Sequence, residues 1–186
     1  MTSMLCHAGS SQLLIIDLQT RLLAAMSDSE RAATVKAAGI LAQAAGALNI
    51  PVLITEQYPK GLGATDPETA GKLPPNARRF EKTGFSCCAA EGLTHALKAT
   101  ERSEIVLVGQ ETHVCVLQTA FDLLDAGYRV FVPEDGVCSR SLSHKRNALV
   151  RMAQAGIVVT NVESVLFEWL GDAAHPQFKA LSALIR

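Results

Sequence analysis

The chain has 186 residues, 48% of them hydrophobic, and its 17 Lys and Arg against 18 Asp and Glu leave a formal charge of -1. No cluster of basic residues interleaved with aromatics is present to neutralise a phosphate backbone, so nucleic acid is not an expected partner. No apolar run approaches the roughly 20 residues that cross a bilayer, and the first basic residue is Arg21, so no basic signal or transit segment opens the chain. The expectation is a cytoplasmic protein without a membrane partner, built as one domain over 1–186 with 1–10 as a flexible N-terminus.

Five short segments, apolar and rich in β-branched residues, read as buried strands: Leu13 to Ile16, Pro51 to Thr55, Glu104 to Val108, Tyr128 to Val132 and Ile157 to Thr160. Uninterrupted apolar character suits strands covered on both faces, as in a parallel sheet. Helical periodicity falls between them, over Glu30 to Leu48, Ala90 to Ala99, His113 to Ala126 and Ser141 to Ala155, and the last two end at Gly127 and Gly156, placed to form left-handed caps. A tail from Val162 to Arg186 adds helical pieces around Pro176. This alternation predicts a three-layer α/β fold. The stretch Glu56 to Arg79, with four prolines and three glycines, is the longest candidate loop, readable either as a lid or as a plain surface excursion.

In open α/β sheets the ligand crevice lies beyond the carboxyl ends of the strands. Asp17 directly follows the first strand there, Lys82 follows the long loop, and Cys115 lies just beyond Val108. Thr112 reads as an N-cap that sets Cys115 in the first turn of a helix, where backbone N–H groups and a nearby ammonium lower a thiol pKa. A carboxylate such as Asp17 can take the proton of a nucleophilic thiol and return it to a leaving group. Each residue also has a plain structural reading, as a capping aspartate, a solvated lysine and a small core thiol.

The five cysteines, Cys6, Cys87, Cys88, Cys115 and Cys138, lack the spacing of a zinc or redox motif and are expected as free thiols, with the pair Cys87-Cys88 and Cys138 buried. His113 is two helical positions from Cys115, about 200° around the axis, and should not face it. Arg140, after a later strand, is a candidate for binding a substrate carboxylate, with a surface arginine as the alternative. Tyr58 and Phe85 are candidate pocket residues of lower rank.

Together Ile15-Ile16-Asp17-Leu18-Gln19, Lys82 in Arg79-Phe80-Glu81-Lys82-Thr83, and Gly109 through Cys115-Val116 resemble the motifs of the isochorismatase-like cysteine hydrolases. Thr55 through Gly63, His113 through Thr119 and Gly171 through Phe178 resemble the isochorismatase domain-containing members in particular. The resemblance implies a Rossmann-like, mainly parallel six-stranded sheet, a catalytic set of Asp17, Lys82 and Cys115, and a homo-oligomer acting on a small-molecule amide or related C–N carbonyl compound. It also implies a non-proline cis peptide between Glu111 and Thr112, and an oxyanion hole made by the backbone N–H groups of Thr112 and Cys115. The metal pair of the nicotinamidase branch falls at Glu56-Gln57-Tyr58, one carboxylate without its histidine, so neither metal nor cofactor is expected. A binding or scaffolding protein that keeps the fold is the competing reading; nucleotide binding lacks a GxGxxG or Walker loop.

Overall fold

A computed structural model describes residues 4–186. Among them seven strands form one sheet in which every pairing is parallel: β1 (Ser11–Ile16), β2 (Val52–Gln57), β3 (Arg78–Lys82), β4 (Glu104–Gln110), β5 (Arg129–Pro133), β6 (Val137–Cys138) and β7 (Val158–Thr160). The order is β3-β2-β1-β4-β5-β7, with the two-residue β6 paired to the end of β4. Six strands thus form the expected Rossmann-like order and β6 is a short addition.

Neighbouring residues of one strand serve opposite layers, which is why the strands read as continuous apolar runs. Leu13 and Ile15 of β1, with Val106 and Val108 of β4, pack under the 20-residue helix Asp28–Ala47 and the helix Val162–Leu170. Leu14 and Ile16, with Ile105 and Leu107, face the helices Leu93–Lys98, Leu117–Asp125 and Leu142–Gln154. The long helix begins two residues earlier than its periodicity suggests, because Ser27 accepts a hydrogen bond from the Glu30 N–H and Asp28 joins the first turn. Gly127 and Gly156 take positive φ after their helices, and Tyr128 and Ile157 donate back to Leu123 and Met152, closing both ends as expected.

Two expectations are corrected. The chain is tied down at Cys6 and His7: Cys6 is fully buried and its N–H donates to Glu168, while the His7 N–H donates to Glu104, a buried carboxylate also bonded by Ser11 and Arg129. Residues 1–3 of the expected flexible segment lie outside the described residues. The stretch Glu56 to Arg79 is not one loop: it carries the end of β2, the short helices Pro59–Leu62 and Pro67–Ala70, and the start of β3. Gln19 holds its backbone at Gln57 and Gly63, and Glu56 accepts from the Thr65 N–H and hydroxyl.

The sheet changes direction between β1 and β4, and their contact is close. Gly109 pairs with Ile16 at φ +125°, and a Cβ there would lie 2.1 Å from the Ile16 carbonyl oxygen. Both the positive φ and the contact exclude a side chain. Gly109→Ala should therefore cost at least about 3 kcal/mol, measured by chemical denaturation.

Candidate functional site

β1 and β4 end side by side where the strand order reverses, the place at which a crevice opens beyond a parallel sheet. Asp17 leaves β1 at φ 51° with its side chain fully buried. Its backbone N–H donates to the Thr55 carbonyl at 3.1 Å, and its carbonyl accepts from the Gln110 side chain at 2.9 Å. Gln110 is the last residue of β4, so one buried amide ties the two strand ends together.

Both oxygens of the Asp17 carboxylate are occupied. Oδ1 accepts from the Thr55 hydroxyl at 2.7 Å and Oδ2 from Lys82 Nζ at 2.7 Å. Lys82 comes from the end of β3, in register with Gln57, and its side chain is also fully buried. Its ammonium has further acceptors in Gln57 Oε1 at 2.5 Å, the Phe85 carbonyl at 3.0 Å and the Gly84 carbonyl at 3.3 Å. An ammonium has three protons, so these acceptors consume all of them. Lys82 is a fixed charge rather than a free donor. Burial pulls its pKa down, but the Asp17 charge and the two nearby thiols, Cys87 and Cys115, outweigh this and the net shift is upward.

Cys115 reaches the same carboxylate from the other strand. After Gln110 the chain enters a wide π-helical turn, Thr112–Val116, in which the Val114 and Val116 N–H groups both donate to the Glu111 carbonyl. The helix Leu117–Asp125 continues from it. Cys115 is 7% exposed, and its thiol lies near enough to Asp17 for the carboxylate to raise its pKa.

The thiol is not the ready thiolate expected from a helix N-terminus. Burial, then the Asp17 charge, push its pKa up to about 12, and Lys82 lowers it too little to compensate. The physical reason is that Lys82 is already matched by Asp17. Cys115 therefore rests protonated, in the field of a carboxylate.

The remaining candidates are placed as follows. Thr112 is not a side-chain cap: Glu111 holds the cap position, and the Thr112 hydroxyl is buried with no hydrogen-bond partner among the described residues. The non-proline cis peptide joins Gln110 to Glu111, one residue before the expected Glu111–Thr112 bond, because the reversal comes at the last residue of β4 rather than at the start of the turn. Arg140 is engaged by Glu111 through its backbone N–H, Nε and Nη2, the last at 2.6 Å, and so is a clamp on the turn instead of a free substrate arginine. The bidentate pairing uses the planar fork that a substrate carboxylate would need.

Tyr58 is 54% exposed and lines a cleft of about 380 Å³ with Pro59, Lys60, Lys82 and Glu91. Phe85 is 56% exposed, and its carbonyl rather than its ring meets Lys82. His113 turns from Cys115 to Ser139, at 3.0 Å, and to the ring of His144. Glu56 spends its carboxylate on Thr65 and Arg79.

Sequence reasoning missed Thr55, Gln57, Gln110 and the role of Cys87. Cys87 is fully buried, with its sulfur 3.4 Å from the Thr55 hydroxyl, and burial followed by the Asp17 charge raises its pKa to about 12. A polar residue at the carboxyl end of each strand was the available signal for Thr55, Gln57 and Gln110. Cys138 is buried as expected, while Cys88 is only half-buried.

This fold, with an acid, a lysine and a thiol gathered at the crevice of a parallel sheet, defines a hydrolase-type α/β protein. The chain matches the Isochorismatase domain over residues 11–164 and belongs to that family. It is 43% identical over 151 residues to isochorismatase domain-containing protein 2 of Xenopus laevis, covering 81% of this chain and 72% of that protein. A secreted isochorismatase effector, Isc1, of Phytophthora sojae is 42% identical, over 78% of this chain and 71% of its own. The solved structure of a Caenorhabditis elegans protein titled MAR1 ribonuclease superposes with a TM-score of 0.91 at 38% identity, covering 97% of this chain and 91% of that one. No described helix is long and apolar enough to cross a membrane.

The raised thiol leads to a measurable expectation. Carbamidomethylation of Cys115 by iodoacetamide should be slow at neutral pH and climb into the strongly alkaline range. In Asp17→Asn the charge opposing the thiolate is gone and Lys82 is unmatched, so labelling at neutral pH should rise about tenfold or more. Mass mapping of the labelled residue against pH checks both statements.

Proposed function

We propose that the chain hydrolyses a small-molecule amide or related C–N carbonyl compound, with Cys115 as nucleophile, Asp17 as proton carrier and Lys82 as fixed positive charge. The observation that carries this reading is the single buried carboxylate of Asp17, held by Lys82 on one oxygen and by Thr55 on the other, with the buried Cys115 thiol near enough to feel its charge.

In the first half-reaction the Cys115 sulfur attacks the carbonyl carbon while its proton passes to Asp17. A protonated resting thiol suits this order, since nucleophile and proton are delivered together. When Asp17 becomes neutral, Lys82 loses its counter-charge, and its field is free to stabilise the oxyanion developing nearby. The backbone N–H groups of Thr112, at the opening of the turn, and of Cys115 itself would meet the oxyanion. Asp17 then gives its proton to the leaving nitrogen, and the C–N bond breaks. In the second half water attacks the thioester, returning the proton to sulfur and releasing the acid.

Substrate contacts are proposed from the groups left uncommitted. The buried Thr112 hydroxyl is one, and the exposed rings of Tyr58 and Phe85 at the carboxyl ends of β2 and β3 are others. The C. elegans relative is titled a ribonuclease; in this chain a formal charge of -1 and a buried acid–thiol pair favour a small neutral carbonyl compound over a polyanion.

The test is hydrolysis of p-nitroacetanilide, followed by release of p-nitroaniline, alongside a screen of primary amides and carbamates. Cys115→Ala should abolish turnover without changing the circular dichroism spectrum or the melting temperature. Turnover in that variant at the wild-type rate would overturn the assignment of the nucleophile.

A further inference from the structure

Of the two side chains bonded to the Asp17 carboxylate, Lys82 has a place in the proposed chemistry and the one on the other oxygen does not. Thr55 stands at the carboxyl end of β2, paired in register with Ile16, and is almost fully buried. Its hydroxyl donates to Asp17 Oδ1 at 2.7 Å, and a hydroxyl has only one proton to give. The contact of that hydroxyl with Cys87 Sγ, at 3.4 Å, must then run the other way, with the Cys87 thiol donating to the Thr55 oxygen. Cys87 is itself fixed, its backbone N–H donating at 2.8 Å to the hydroxyl of Thr119, one turn beyond Cys115 on the same helical segment.

The result is a directed chain, Cys87 S–H to Thr55 O–H to Asp17. Successive hydrogen bonds in one direction polarise one another in a low-dielectric interior, so the donor on Oδ1 is stronger than an isolated hydroxyl. The charged and titratable groups around the carboxylate are Lys82 from β3, Cys115 from the π-helical turn and Cys87 from the 3-10 turn Cys87–Ala89. Lys82 pins one oxygen and Thr55 the other, and two fixed points leave the carboxylate no rotation about its own axis.

We propose that Thr55, with Cys87 behind it, is a positioning residue for proton transfer: it fixes the plane of the Asp17 carboxylate so that the Cys115 proton is taken and returned along one direction. This rests on the reading of Cys115 and Asp17 given above. Thr55 reaches no reacting atom, so its loss should act on the chemical step and leave ground-state binding alone.

The test compares the wild-type chain with Thr55→Val, Thr55→Ser and Asp17→Asn in p-nitroacetanilide hydrolysis. Valine keeps the shape and removes the donor; kcat should fall about tenfold or more, as expected for a hydrogen bond to a charged group, with KM unchanged within about twofold. Serine restores the donor and should recover kcat to within about threefold of the wild type, which a purely structural role for the threonine methyl would not allow. Cys87→Ala should give a smaller loss in kcat, since only the second link is removed. If Thr55→Val turns over like the wild type, or if Thr55→Ser is as impaired as Thr55→Val, the positioning role is overturned. These outcomes stand apart from the parent reading: Asp17→Asn as active as the wild type, or no release of p-nitroaniline by the wild-type chain, overturns the proposed chemistry itself and Thr55's part with it.

Discussion

The site depends on a buried ion pair. Asp17 and Lys82 meet at 2.7 Å with both side chains out of solvent, and neither charge could be carried there alone. Removing two ions from water is costly, and it is offset only where the remaining lone pairs and protons find partners. That condition explains much of the local architecture. Thr55 takes the second carboxylate oxygen, and Gln57 with the carbonyls of Gly84 and Phe85 completes the ammonium. The backbone of the turn after β3 is accordingly shaped around Lys82.

The same pair sets the state of Cys115. Burial, and then the Asp17 charge, keep the thiol protonated, and a Lys82 already matched by Asp17 opposes them too little. In the proposed chemistry the site would hold its reactivity as a thiol proton beside its acceptor, not as an ion. The family to which the chain belongs supplies the class, and the order in which proton and bond move belongs to the proposed chemistry.

Much of the fold could be read from the chain because the central strands are covered on both faces and show unbroken apolar runs. The five strands read from such runs match β1, β2, β4, β5 and β7, and the four helical segments were found within a few residues. β3 was missed because it lies at the edge of the sheet and is mostly charged, Arg78-Arg79-Phe80-Glu81-Lys82, with only Lys82 fully covered. Placing Asp17, Lys82 and Cys115 together required the motif resemblance, since their separation in sequence holds no distance information. What the sequence could not convey was commitment: whether Arg140 is free or spent on Glu111, and whether Lys82 serves the thiol or the carboxylate, depends on partners far along the chain.

The charges that concealed β3 have another effect. An edge strand offers unpaired N–H and C=O groups to any extended chain, and exposed arginine and glutamate side chains discourage such pairing. Arg78, Arg79 and Glu81 stand along this edge, exposed. Strand addition there would pull on the element that delivers Lys82, shifting the ammonium against Asp17. The polar edge thus guards against aggregation, and in doing so it shields the electrostatic balance of a site whose charged atoms it never touches.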